Sequence, residues 1–323
     1  MKKPLYVVTA IFVLVFTIAL WDIGSYYFPG DLEKPTTLIF APNSHFTDIA
    51  DSLAENHVIQ HPLIFKILMF VSGQSFKVKA GEYAFPPHIS EEDVAVMLAT
   101  GKTVIHHLTV PEGYMTVEVL DMVKKNELLT GEITLDVKEG DLLPETYNFS
   151  RGDKRNDLIE RMHHSMQKAL EEAWQGRAEN LPVKTPEQAL ILASIVEKET
   201  GLVSERQHVA SVYINRLNKN MLLQADPTTA YAVTGGKYKL TRPLTRDDLN
   251  FKSPYNTYQS PGLPPGPIAN PGKAAILAAL HPIQSDDLYF VATGTGGHNF
   301  ARTPAEHAKN VEIYRSVLKA QNK

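Results

Sequence analysis

The chain has no cysteine. Disulfide frameworks and thiolate metal sites are therefore excluded, and the protein suits a reducing or an oxidising compartment equally. It has no basic excess either, with 32 Lys and Arg against 36 Asp and Glu and a net charge of −4. Without a basic footprint, nucleic acid is excluded as the expected partner. Internal repeats and low-complexity tracts are missing. Twelve histidines are present, including His57 with His61 and the pairs His106-His107 and His163-His164, but no His-Glu-x-x-His motif joins them. Thr293 to Gly297 are glycine-rich, yet they lack the Lys-Ser/Thr of a phosphate loop and the spacing of a dinucleotide fingerprint. No metal and no cofactor is expected.

What the chain does have is one long apolar run. Leu5 to Leu20, LYVVTAIFVLVFTIAL, holds no charge, glycine or proline. Residues 21–23 bring it to the ~17–25 residues that cross a bilayer as a helix. Lys2 and Lys3 precede it, and Trp21, Tyr26 and Tyr27 follow as interfacial anchors. Residues 1–23 are thus read as a short cytoplasmic tail and a single-pass anchor, with everything after them outside the cytoplasm. A cleaved signal peptide is the competing reading. Thr17-Ile18-Ala19 is a poor cleavage triplet for it, with bulky Leu20 and Trp21 directly behind.

Residues 24–37 mix glycine, proline and charge without periodicity and read as a linker. Residues 38–105 read as a small α+β domain. A strand begins at Leu38, and a helix carries Phe46, Ile49, Ala50, Leu53 and Ala54 on one face with Ser44 as its cap. A helix at Pro62–Val71, a strand at Gly81–Phe85 and a helix capped by Ser90 with Asp93 follow. Residues 106–323 read as a second, mixed α/β domain. Its helices are expected near 115–125, 156–174, 186–199, 205–217, 273–280 and 304–320, with a strand at 288–292 and a loop-rich section from Gln224 to Ile268.

The densest signal is Ile191 to Gly201, ILASIVEKETG. Its helix starts at Thr185-Pro186-Glu187-Gln188, a capping threonine, a first-turn proline and a capping-box glutamine. Ala189 to Val196 carry no charge, so this helix belongs inside the domain and emerges at Glu197. Residues two apart on a helix point about 200° apart, so Glu197 and Glu199 cannot serve one cleft. Glu197 leans over Ala193 and Ser194, whereas Glu199 leans over the apolar Ile195 and Val196. Glu199 also sits in the last turn with Gly201 as the expected C-cap, at the negative end of the helix dipole. Both surroundings disfavour a carboxylate and raise its pKa. Glu199 is the better proton donor, of the kind glycosidic cleavage requires, with Glu197 as the fallback. The plain alternative for both acids is a solvated helix end.

The segments ASIVEKET, SERQHVASVYINRL, LLQADPTTAYA and SPYNTYQSPGLPPGPI follow one another here, together with TVPEG at 109–113, EGDLLPETY at 139–147 and YFVATGTGGHNFARTPAEH at 289–307. In that order they resemble the YceG-like family of endolytic murein transglycosylases, over nearly the whole chain. The resemblance implies a single-pass protein of the cytoplasmic (inner) membrane with a LysM-like domain at 38–105 and a YceG-like catalytic domain at 106–323. It implies cleavage of β-1,4 bonds between N-acetylmuramic acid and N-acetylglucosamine inside nascent peptidoglycan strands, leaving 1,6-anhydro ends, with peptidoglycan synthases (penicillin-binding proteins) as partners. Carried over by motif, the family's catalytic glutamate is Glu199. Glu199-Thr200-Gly201 also resembles the Glu-Ser-Gly of soluble lytic transglycosylases.

Tyr258 is the active-site tyrosine that the resemblance favours, while Tyr255 and Asn256 on the same proline-rich loop suit sugar faces and N-acetyl groups. Gln224, Asp226 and Thr228 are placed to line a sugar cleft, with Asp226 alternatively capping a helix that starts at Pro227. His298 and Asn299 are expected on a turn near the cleft. Arg216 is expected to brace Glu197 or another acid, and Glu145 to be a structural loop residue. Two other functions stay open: a non-catalytic peptidoglycan-binding scaffold, and a hydrolytic muramidase, which needs a second carboxylate near the first.

Overall fold

The computed structural model describes residues 23–321 together with residues 9, 13, 17 and 21. The expected membrane anchor lies largely outside the described residues. Among those described, no helix is long and apolar enough to cross a membrane. The chain divides into two units, residues 1–106 with 148–153, and residues 107–147 with 154–323.

In the first unit, β1 (Thr36–Phe40) pairs antiparallel with β2 (Gly81–Phe85), Thr36 facing Phe85 and Phe40 facing Gly81. Helices α1 (Phe46–Glu55), α2 (Pro62–Val71) and α3 (Glu91–Thr100) complete it. Phe40, Ile49, Leu53, Phe65, Tyr83 and Phe85 share one core. The α3 cap forms as its sequence requires, Ser90 accepting from the Asp93 N–H at 3.1 Å. The α1 cap does not. His45 occupies the N-cap without a side-chain bond, because the Ser44 hydroxyl donates to the Ala41 carbonyl at 2.9 Å and closes the preceding turn instead.

A further two-stranded sheet joins β3 (His106–Thr109) to β4 (Thr146–Phe149). The second unit is mainly helical. It contains α4 (Thr116–Lys125), α5 (Arg155–Gln175), α6 (Pro186–Glu199), α7 (Arg206–Asn218), α8 (Asp226–Thr234), the short α9 (Arg246–Leu249) and α10 (Lys273–Leu280). An antiparallel hairpin, β5 (Tyr289–Ala292) with β6 (His298–Ala301), and α11 (Pro304–Gln321) close the chain. The protein is therefore α+β with small sheets. A mixed α/β second domain would need parallel strands, whereas β5 and β6 are four-residue strands joined by a glycine-rich turn.

α6 runs through the centre of this unit, with α5, α7 and α10 packed around it. All eight residues from Ala189 to Val196 are buried. Its start is fastened twice: the Thr185 hydroxyl accepts from the Gln188 N–H at 3.3 Å, and the Gln188 side chain accepts from the Lys184 N–H at 2.7 Å. Its end corrects the expected glycine cap. Gly201 is not left-handed; the helix stops because Thr200 turns extended (φ −140°, ψ 131°), its hydroxyl accepting from the Leu202 N–H at 3.1 Å.

Candidate active site

The two glutamates at the end of α6 have different surroundings. The Glu197 side chain is only 4% exposed. Arg206 of α7 donates to its Oε1 at 2.8 Å and the Gly272 N–H, at the start of α10, to its Oε2 at 2.9 Å. Arg206 also holds Glu112 at 2.9 Å. Glu197 is thus an interior ion pair tying the 109–113 loop, α7 and α10 to the end of α6, and both oxygens are occupied. The bracing arginine is Arg206, not Arg216. Other motif segments meet around it: Lys198 donates to the Gly113 carbonyl at 3.1 Å, and Asn270 accepts from the Leu142 N–H and donates to the Tyr114 carbonyl, each at 2.9 Å.

Glu199 faces the other way, into a cavity of about 300 Å³. Tyr213 of α7 is buried and donates its hydroxyl to Glu199 Oε1 at 2.6 Å. Asp226, the first residue of α8, lines the same cavity and accepts from the Tyr258 hydroxyl at 2.6 Å. Arg216 forms another wall, its Nε donating to the Leu288 carbonyl at 2.6 Å, its Nη1 to Leu223 at 2.8 Å, and its guanidinium lying 5.1 Å over the Tyr289 ring. Leu223, Gln224, Phe290 and His307 complete the lining.

Burial raises the carboxyls of both Glu197 and Glu199, and that of Glu199 further. Burial pushes its carboxyl from 4.5 up to about 7; the Tyr213 hydrogen bond opposes that shift, the Asp226 charge adds to it and Arg216 opposes it. Burial likewise raises the Tyr258 hydroxyl, with the hydrogen-bonded Asp226 adding to it. Burial lowers His307 below the ordinary imidazole value, and the Arg216 charge lowers it further. The site is a carboxyl group that changes protonation near neutrality, fixed at one oxygen by a tyrosine, beside a second carboxyl held by another tyrosine.

Glu199, Gln224, Asp226 and Tyr258 are thus brought together around one cavity. Five other residues expected at the substrate lie elsewhere. Thr228 is fully buried, its hydroxyl donating to the Ala225 carbonyl at 2.7 Å and meeting Thr257 at 2.8 Å. Asn256 is fully buried too; its amide donates to the carbonyls of Leu249 (3.1 Å) and Phe251 (2.8 Å) and accepts from Thr229 (2.8 Å). Both hold the 250–260 loop to α8 and have no group left for a sugar. Tyr255 packs on Tyr231, ring centroids 5.0 Å apart. His298 binds Glu205 through its N–H (2.9 Å) and Nδ1 (2.8 Å), and Asn299 sits opposite Val291 in the hairpin. Asp226 does not cap α8; Ala225 takes the N-cap, since the Asp226 carboxylate is engaged by Tyr258. Glu145 pairs with Lys273.

Sequence reasoning missed Tyr213, Tyr289, Phe290 and His307. Tyr213 lies in the quoted SVYINRL segment, but nothing local marks a residue 14 positions past Glu199 as its hydrogen-bond donor.

Comparison with known proteins gives similarities of sequence and of structure. The model of the YceG-like family matches residues 39–313. The endolytic murein transglycosylase of Bacillus subtilis (strain 168) is 32% identical over 316 residues, covering 88% of this chain and 86% of that protein. The endolytic murein transglycosylase of Streptococcus pneumoniae (D39) is 31% identical over 326 residues, 86% of this chain but 58% of that longer protein. The 2.6 Å crystal structure of a putative YceG-like protein of Listeria monocytogenes superposes with a TM-score of 0.52 at 29% identity, over 85% of this chain and 98% of that one.

Proposed function

The chain belongs to the YceG-like family, and from that premise we propose that it is a lytic transglycosylase that cuts peptidoglycan. Its bonds are the β-1,4 links between N-acetylmuramic acid and N-acetylglucosamine within nascent glycan strands, and its products carry 1,6-anhydro ends. Residues 1–23 anchor it in the cytoplasmic membrane, residues 38–105 are LysM-like, and residues 106–323 carry the chemistry beside the penicillin-binding synthases that make the strands.

The observation that carries this reading is Glu199, a carboxyl group with a pKa of about 7 in a 300 Å³ cavity. At neutral pH it is protonated often enough to act as an acid, and its conjugate base is strong enough to act next as a base. Tyr213 engages Oε1, so the transferable proton sits on Oε2. Glu199 gives that proton to the glycosidic oxygen as the bond to muramyl C1 breaks. The carboxylate then takes the C6 hydroxyl proton while that oxygen closes on C1. No water is consumed and no second carboxylate is required. Tyr258 holds Asp226 at the cavity wall, where its negative charge favours the developing oxocarbenium.

Asp226 also supports a second reading, because a hydrolytic muramidase uses two carboxyl groups. Product analysis separates the two. The protein and its Glu199→Gln variant are incubated with uncrosslinked glycan strands, and the ends are weighed by mass spectrometry. Anhydro ends formed by the parent and lost in the variant are expected; reducing ends would establish hydrolysis, and undiminished activity in the variant would remove Glu199 from the mechanism.

A further inference from the structure

The first unit carries an apolar surface that its own core does not use. α2 reads PLIFKILMFV, and its Phe65 and Met69 are fully buried in that core. Leu63, Ile67, Phe70 and Val71, at i, i+4, i+7 and i+8, form an outer face with exposures of 71, 51, 65 and 78%. Phe76 continues it at 80% exposure, its ring 5.9 Å from that of Phe70. Lys66, the one charged residue of α2, pairs with Asp51 of α1, and an apolar surface left open at this scale marks a binding partner.

The chain itself indicates which partner. The uncharged run Leu5–Leu20 enters this unit at Trp21, and Trp21, Tyr27 and Phe28 are exposed as well. The entering segment is fastened to α2: the Ser25 hydroxyl meets His61 Nδ1, at the α2 N-cap, at 3.2 Å, and the Tyr26 ring packs 6.4 Å from Phe65. The end of the apolar run and the start of α2 therefore share one place on the unit. Lys77 and Lys79, both exposed, follow Phe76, Lys79 reaching the Thr100 carbonyl at 3.4 Å, and would meet anionic headgroups if the apolar face lay at the bilayer surface.

We propose that the outer face of α2, with Phe76, lies in the headgroup–acyl boundary of the bilayer that residues 1–23 cross. This docking rests on the reading of those residues as an anchor. It seats the first unit on the bilayer, with α2 parallel to the membrane and its polar neighbours in water.

The absence of native cysteine makes the test direct. Single variants Ile67→Cys, Phe70→Cys and Phe76→Cys of the full chain are spin-labelled and reconstituted in vesicles of phosphatidylethanolamine and phosphatidylglycerol. Thr37→Cys is the aqueous control, exposed on the β1 face opposite the core, and Val13→Cys reports on the anchor. The α2 and Phe76 labels are expected to collide with a water-soluble nickel chelate several-fold less than the label at 37, and to collide readily with lipid-dissolved oxygen, at depths of roughly 5–10 Å. Labels at 67, 70 and 76 as open to the chelate as 37, with the label at 13 in hydrocarbon, would overturn the docking and leave the anchor standing. Shielding from both chelate and oxygen would mean that a protein covers α2, and would also overturn it. A label at 13 open to the chelate would sink the anchor reading and, with it, the docking that rests on it.

Discussion

Replacing Glu199 by glutamine should make the protein more stable, and only above a particular pH. Folding holds the Glu199 carboxyl at about 7 against 4.5 for an ordinary glutamate. Between those values the folded chain binds more protons at this position than the unfolded chain, so stability falls as pH rises from 4.5 through 7 and is level on either side. At roughly 1.4 kcal/mol per pH unit, the gap between 4.5 and about 7 amounts to about 3 kcal/mol of stability lost in the parent by pH 8. Glutamine never ionises. Its carbonyl still accepts from Tyr213, and its amide donates where the protonated acid would. Glu199→Gln is therefore expected to gain about 3 kcal/mol over the parent at pH 8 and almost nothing at pH 4.5. For a unit of this size that is a rise in Tm of about 6–12 °C at pH 8. Calorimetric scans of both proteins at the two pH values test it. A gap that does not change with pH, or a variant that melts lower at pH 8, would refute the assignment of the buried, proton-holding carboxyl to Glu199.

Activity should fall as pH rises through about 7, where Glu199 loses its proton. Tyr213→Phe removes a hydrogen bond that favours the carboxylate and moves that limb of the pH–rate profile up, whereas Asp226→Asn removes a charge that opposes it and moves the limb down; shifts in the same direction would disprove the arrangement. Glu197→Gln leaves the buried Arg206 with Glu112 as its remaining carboxylate and should cost about 1.5–3 kcal/mol in urea unfolding without displacing the limb. Gly140→Ala adds a Cβ 2.7 Å from the Pro267 ring at a backbone φ of +87°. It should cost about 1–3 kcal/mol, read as a lower urea midpoint.

How far the sequence could be read follows from where each signal resides. α6 was legible except for its C-terminal cap, because its N-cap, its first proline and its uncharged interior lie within 15 residues, and the 200° between Glu197 and Glu199 needs only helix geometry. The partners that give the two acids different chemistry were not legible. Glu197 is held by Gly272, 75 residues away, and the charge that helps raise Glu199 comes from Asp226, itself fixed by Tyr258, 32 residues further on. The same limit explains the misplaced polar residues. A polar side chain on a proline-rich loop can face a ligand or satisfy the loop's own backbone, and residue type does not distinguish the two. In the 250–260 loop few backbone groups have ladder partners, so Asn256 takes the carbonyls of Leu249 and Phe251, and Thr257 takes the Ala225 N–H at 3.0 Å. Tyr258 can then reach Asp226 because its two neighbours hold the loop still. The buried pair, Asn256 and Thr257, positions the half-buried Tyr258 at the cavity wall.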